Sequence, residues 1–226
     1  MIKIENEEVY GWDAAIRGMR NPMNSWDKSD SGWMIMNEDD HELGYDPNYE
    51  YVIGEKDAEL MCKLSKAGDD HSKFLRMVNV TVDITAPLYW WKEFDTYKVG
   101  TVANSCSTMH TITNKEFTID DFSHEHCDGS NIIWQVVAEL NVWRKMYLEG
   151  HDKYHWWQII QLLPSSYNQK RTIQLNYQVL RRMYKARCNH KLDEWRDFCK
   201  WTKELPYFEE IVLNRKWTLD TFAEPQ

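Results

Sequence analysis

The run Val78 to Ile84 (VNVTVDI), in which β-branched and polar residues alternate with a period of two, narrows the fold more than any other stretch. Only a strand puts every second side chain on one face, so this segment predicts a half-buried β-strand. Ala86-Pro87 follows, and proline lacks the N–H that a ladder needs, so the strand stops there or marks an edge. Beyond it, Lys98 to His110 (KVGTVANSCSTMH) gathers glycine, threonine, asparagine, serine and cysteine with very little aliphatic content. Such a segment cannot hold a core. It predicts a polar loop fed by a strand, either carrying chemistry or merely solvated.

Helical patterns surround that strand. Glu55 to Ala67 puts Leu60, Met61 and Leu64 on one face, with Gly68 as the capping signal. Asn131 to Leu148 carries a stripe of Ile132, Ile133, Val136, Val137, Leu140, Trp143 and Tyr147, read as core, and Tyr154 to Leu163 reads as another buried helix broken at Pro164. A strongly amphipathic helix is expected from Thr172 to Arg187, with Ile173, Leu175, Val179, Leu180 and Met183 on its apolar side, and a further helix from Leu192 to Lys203. At the amino-terminal end the pattern predicts a short strand over Ile2 to Val9 and a helix over Trp12 to Met19, ended by Asn21-Pro22. Residues 24–50 read as loop, and the tail from Tyr207 as a short helix that then frays. One domain over 1–226, with a loop-rich part at about 20–50, is the expected organisation.

The net charge of −9 excludes a general nucleic-acid binder, which needs a basic surface. The 12 Trp and 12 Tyr exceed what one core needs and suit pocket walls and subunit interfaces as well as a core rim. Five cysteines, with no CxxC spacing, point to neither a disulfide framework nor a zinc ribbon. The segment MIKIENEEVYGW has no apolar run, so no signal peptide or membrane span is expected, and a reduced, cytoplasmic setting follows.

Candidate chemistry concentrates in the polar loop. Cys106 is its cysteine, and Thr101, Ser105, Ser107 and Thr108 stand beside it as nucleophiles or phosphate donors, without a base at fixed spacing. A loop of small hydroxylated residues with no chemistry explains the same spacing equally well. Arg171, Arg181, Arg182, Lys185 and Arg187 form the most basic segment, and arginines at a helix end grip phosphate bidentately. No metal is assigned. Asp39, Asp40, His41 and Glu42 are adjacent and read as a solvated turn, and His124, His126 and Cys127 lack the spacing and the second pair of a tetrahedral set. The common P-loop, GxGxxG, HExxH and GxSxG signatures are absent.

Two stretches together resemble the flavin-dependent thymidylate synthases. LLPSSYNQKRTIQLNYQVLRRMYKARCNHKLDEW is similar to that family's run from a Leu-Pro pair, through an aromatic and an Asn, to an Arg ending a helix and a following His and Glu. Here these are Leu163-Pro164, Tyr167, Asn176, Arg187, His190 and Glu194, with His190 to Glu194 one residue short. The family also runs from an Ala-Pro at a strand end into the signature RHRxxSxNExSxRY. Ala86-Pro87 stands at matching distance, but the signature is largely replaced: Thr101 falls on the first Ser, Ala103 and Asn104 on the Asn-Glu pair, Cys106 on the second Ser and Thr108-Met109 on the Arg-Tyr. A shift of one residue puts Ser107 on the second Ser.

The resemblance covers about residues 55–205. It implies an α+β subunit, an antiparallel sheet packed with helices, assembled as a homotetramer with FAD and deoxyuridine monophosphate bound between subunits. It also implies NADPH and methylenetetrahydrofolate as co-substrates of a reductive methylation. Arg187 would then hold the nucleotide, with Ser105 and Ser107 as further substrate contacts. Asn176, Asn104, Thr101 and His190 would contact the cofactor, and Lys98 and Cys106 are the candidates for catalysis. The rival expectations are a non-enzymatic binding or interaction protein on the same scaffold, or a flavoenzyme acting on another nucleotide.

Overall fold

The computed structural model describes residues 2–35, 49–127 and 131–214. In chain order its elements are β1 (Lys3–Tyr10), α1 (Trp12–Arg20), β2 (Gly32–Ile35), β3 (Tyr49–Val52), α2 (Glu55–Lys66), β4 (Asn79–Pro87), α3 (Leu88–Phe94), β5 (Val102–Ser105), α4 (Thr108–Thr111), α5 (Ile132–Gly150), α6 (Lys153–Leu162), β6 (Asn168–Asn176), α7 (Tyr177–Arg187) and α8 (Asp193–Glu204). A π-helical turn, Phe208–Val212, follows. Four strands lie side by side in the order β1-β4-β6-β5, and β2 pairs with β3. The fold is mixed helix and antiparallel sheet, as expected. The chain divides into two compact units, one of Met1–Glu7, Thr81–Gln174 and Asn189–Phe198, the other of Glu8–Val80, Leu175–Cys188 and Cys199–Gln226.

In the first unit, the alternation in β4 does what period two requires: Val82, Ile84 and Ala86 are fully buried while Thr81, Asp83 and Thr85 are not. Pro87 closes the strand and α3 begins at once, burying Trp90, Trp91 and Phe94 against Trp195 and Phe198. A second cluster joins Ile112, Phe117 and Phe122 to Val137 and Leu140 of α5 and Ile159 of α6.

Here the structure corrects two expectations. The segment 98–110 is not all loop: β5 pairs antiparallel with β6, Val102 opposite Gln174 and Ser105 opposite Arg171. All four β5 residues are exposed, so there was no buried face to produce an alternation. The α5 and α6 helices form as expected, but only Val137, Leu140 and Ile159 of their apolar residues are fully buried. Trp134, Tyr154 and Trp157 are 56%, 58% and 44% exposed, so these helices are not core throughout.

Asp83, on the polar side of β4, accepts hydrogen bonds from Thr172 Oγ1 (2.6 Å) and Asn6 Nδ2 (3.0 Å) and pairs with Lys170 Nζ (3.0 Å), linking three strands. The Thr172 hydroxyl, then Asn6 and Lys170, hold its carboxyl down at about 2. With an unfolded value of about 3.9, this contribution is complete above that pH and is lost as the pH falls through the folded value. Asp83→Asn is therefore expected to flatten the fall in melting temperature between roughly pH 4 and pH 2. A slope identical to the parent's would refute the linkage.

In the second unit, α1 buries Trp12, Ala15, Ile16 and Met19, and Gly11 precedes it at φ +96°. A Cβ there would meet the Met77 carbonyl at 2.2 Å, so this turn admits only glycine. Gly68, at φ +114°, ends the α2 segment as the capping signal predicts. The buried face of α2 is Asp57, Ala58, Met61 and Ser65, rotated from the expected Leu60-Met61-Leu64 because Asp57 has buried partners.

Residues 24–50 were expected as loop, yet β2 and β3 pair with Gly32 opposite Val52 and Ile35 opposite Tyr49. Their side chains are mostly exposed, so again no alternation marked them. The helix expected over 172–187 begins only at Tyr177. Thr172 to Asn176 belongs to β6, where Ile173 and Leu175 are buried with period two, and the Asn176 side chain accepts from Val179 N–H (3.1 Å) to start α7. Residues 39–42, read as a turn, and the tail beyond 214 lie outside the described residues.

Candidate functional site

In the first unit, α3 sets the site. A helix directly after Pro87 puts Tyr89 and Glu93, four residues apart, on one face while the tryptophans turn inward. Tyr89 Oη donates to buried Glu194 and lies 3.0 Å from Ser123 Oγ. Burial, reinforced by Glu194, pushes the Tyr89 phenol well above its usual range. Glu93 Oε2 accepts from Trp195 Nε1 (3.0 Å) and lies 3.4 Å from His190 Nε2. His190 Nδ1 accepts from Leu192 N–H (3.2 Å), so a neutral ring carries its proton on Nε2, toward Glu93. His190 is thus oriented by a carboxylate.

The polar loop is anchored from β6. Cys106 N–H donates to the Lys170 carbonyl (3.0 Å), and the Cys106 carbonyl accepts from Gln169 Nε2 (3.0 Å). The Cys106 thiol is exposed. Asn104 faces Thr172 and Ser105 faces Arg171 across the strands. Ser107 caps α4, its Oγ accepting from His110 N–H (3.3 Å). Thr101 Oγ1 donates to the Tyr97 carbonyl (2.6 Å). Lys98 and Thr101, with Phe94, Asp95 and Ala103, line a small cavity of ≈ 250 Å³.

Arg171, the first residue of the basic segment, joins this cluster from β6. Arg171 donates to Asp95 Oδ1 (2.8 Å) and Gln169 Oε1 (3.0 Å), and its guanidinium lies 4.3 Å from the Trp91 ring centroid. It brings a second cation to a loop whose own sequence has Lys98. Its place on a strand opposite Ser105 brings it to the loop.

Asn176 and Arg187 belong to the other unit, at the start and end of α7. Arg187 is half-buried, while Arg182 and Lys185 are exposed. Arg181 is no phosphate ligand: it is 3% exposed and donates to Ser65 Oγ (3.1 Å), Ser72 Oγ (2.9 Å) and Asp69. Gln178, 5% exposed, has its Oε1 without a partner among the described residues. His124 Nδ1 meets the Phe122 carbonyl, and His126 Nε2 meets Asp193.

No family model matches the chain, and no curated protein matches it in sequence. Solved structures do. Thymidylate synthase X from Helicobacter pylori, solved with FAD and dUMP, matches with a TM-score of 0.68 at 16% identity, over 94% of this chain and 97% of that one. The fold is that of a flavin-dependent thymidylate synthase. A second structure of the flavin-dependent thymidylate synthase from H. pylori, complexed with FAD and dUMP, matches with a TM-score of 0.65 at 17% identity, over 93% and 97% of the two chains. The fold implied by the resemblance is therefore matched over 94% of this chain. No helix among the described residues is long and apolar enough to cross a membrane.

Proposed function

We propose that the chain binds FAD and dUMP or a related uracil nucleotide and carries out a reductive methylation that consumes NADPH and methylenetetrahydrofolate. The observation that carries this reading is the fold correspondence over nearly the whole of both chains with an enzyme solved with FAD and dUMP. When bound, the flavin supplies the redox chemistry. The protein's part is binding, orientation and charge.

Its own groups suit those ligands. Arg187 is the phosphate ligand, a half-buried guanidinium at the end of α7. Asn176 spends its carbonyl on the helix cap and keeps its amide N–H groups for the cofactor, and Gln178 offers a buried, unpartnered acceptor on the same helix. Thr101, Asn104 and His190 are cofactor contacts, His190 held by Glu93. Ser105 and Ser107 contact the nucleotide. Lys98 and Arg171 supply positive charge where the signature's arginines are missing, and Cys106 offers an exposed thiol just after β5. Single-domain behaviour in a cytoplasmic homotetramer belongs to the same reading, supported by the exposed Trp134, Tyr154 and Trp157.

A flavin absorbance spectrum of the purified protein, with a rise in melting temperature on adding dUMP, is the expected result. Colourless protein indifferent to both ligands would sink the proposal. Arg187→Ala is expected to weaken dUMP binding by about 10- to 100-fold, the loss of a charge-assisted contact worth roughly 1.5–3 kcal/mol, while flavin absorbance persists. Unchanged dUMP affinity would remove Arg187 from the site. The rival reading, a scaffold without catalysis, is favoured by the replaced signature positions Ala103 and Thr108. Turnover of dUMP with NADPH and the folate would eliminate it.

A further inference from the structure

The second unit contains a groove of ≈ 940 Å³ that none of the candidate residues above enters. Such a volume is at the upper end of the roughly 300–1,000 Å³ typical of small-molecule sites. Its walls come from the start of α1, the β2–β3 pair and the segment after α8, including Trp33, Tyr49, Tyr51 and Tyr207. Trp33 and Tyr49 are 66% and 54% exposed, which is unusual for rings without a ligand or partner. Trp33 stands edge-on to Tyr51, and Tyr207 edge-on to Trp12, so two aromatic pairs line the groove.

Charge makes the groove selective. Five carboxylates line it against one ammonium, Lys203, which pairs with Glu209 at 3.4 Å. Asp13 is paired with Arg17. Glu50, Glu204 and Glu210 have no ion pair among the described residues. Burial raises the Tyr207 phenol, and Glu50 and Glu210 raise it further, so the negative potential reaches the aromatic wall. Anions, nucleotides included, are repelled. A divalent metal is not favoured either, since no three ligating groups converge among the described residues. What remains complementary is a flexible organic cation, because ring faces attract ammonium groups and accept methylene chains. The three unpaired carboxylates come from β3, α8 and the π-helical turn, so the charge is distributed rather than focused on one point.

We propose that this groove binds an aliphatic polyamine, its ammonium groups set against Glu50, Glu204 and Glu210 and its methylene spacers laid on Trp33, Tyr49 and Tyr207. Titration calorimetry of the full-length protein with spermidine is expected to show saturable binding at one site that weakens as salt is raised. Glu50→Gln is expected to weaken it about tenfold, and Trp33→Ala about two- to fivefold. Both residues lie at the surface, so these variants keep the fold, checked by an unchanged melting temperature. Glu139→Gln, the same charge change on exposed α5, is expected to leave binding unaltered. Absence of saturable binding would overturn the proposal. So would equal weakening by Glu139→Gln, which marks a diffuse counterion effect, or binding of an oligolysine peptide where spermidine fails, which marks a protein partner. Because dUMP and FAD make no use of these residues, their binding is expected to survive in all three variants, and the two readings fail separately.

Discussion

Arg20→Met is expected to lower the unfolding free energy by about 3 kcal/mol, the lower end of what removing one member of a buried ion pair costs. Asp57 has no exposed surface, and Arg20 is 5% exposed. Arg20 Nε donates to Asp57 Oδ1 at 2.6 Å, while Oδ2 accepts from Ser29 Oγ (2.6 Å), Ser31 Oγ (2.7 Å) and the N–H groups of Asp30 and Ser31. The variant leaves the carboxylate buried with its hydroxyl and amide donors but without its counter-charge. Those remaining donors place the effect at the lower end. Burial raises the Asp57 carboxyl, but hydrogen bonds from Ser29, Ser31 and Arg20 outweigh it, and the net displacement is downward. A carboxyl lowered by folding contributes stability above its unfolded value of about 3.9 that is lost as the pH falls. In Arg20→Met the downward pull is weaker, so the share of the acid-induced decline that Asp57 carries should shrink. Urea unfolding followed from neutral pH down to acid measures both. A loss below about 1 kcal/mol would mean that the serine and backbone donors alone hold Asp57. The consequence extends to the polyamine groove, since Asp57 ties α1 and α2 to residues 29–31, which lead into β2 and Trp33.

How much of this was legible in the sequence depends on whether burial and periodicity coincide. In β4 they do: one face is shielded, and VNVTVDI announces it. In β5 they do not, because an edge strand with four exposed residues is held by backbone pairing to β6 and leaves no hydrophobic trace. The β6–α7 boundary was hidden for another reason. Ile173 and Leu175 fit both a period of two and the start of a helical stripe, and only the Asn176 cap separates them. The apolar stripes of α5 and α6 were real, but a pattern shows which face is apolar, not what covers it. Asn176, Arg187 and His190 are put forward by the motif spacing of the resemblance. Arg171 enters only as part of a basic segment and Glu93 not at all, since their contacts join segments distant in sequence: Arg171 meets Asp95, and Glu93 meets Trp195 and His190.

That last contact leads to the other large effect. Trp195 is fully buried, its ring centroid 4.9 Å from Trp90 and 5.6 Å from Phe198, and it stacks on Phe94 at 6.4 Å. Trp195→Ala opens a cavity in this cluster and is expected to cost about 3–5 kcal/mol in unfolding free energy. Trp195→Phe keeps most of the apolar contact and removes the Nε1 donation to Glu93. Because Glu93 is partly solvated, that loss is expected to be about 0.5–1.5 kcal/mol beyond the change in packing. The two variants separate the ring's packing from its hydrogen bond. A double-mutant cycle of Trp195→Phe with His190→Ala then asks whether the residues communicate through the carboxylate they share. A coupling of at least about 0.5 kcal/mol is expected for groups on one network. Additivity would show that Trp195 packs beside His190 without orienting it through Glu93. If the coupling is present, Trp195 is a positioning residue: the aromatic core that α3 and α8 build also sets the Glu93 carboxylate against His190.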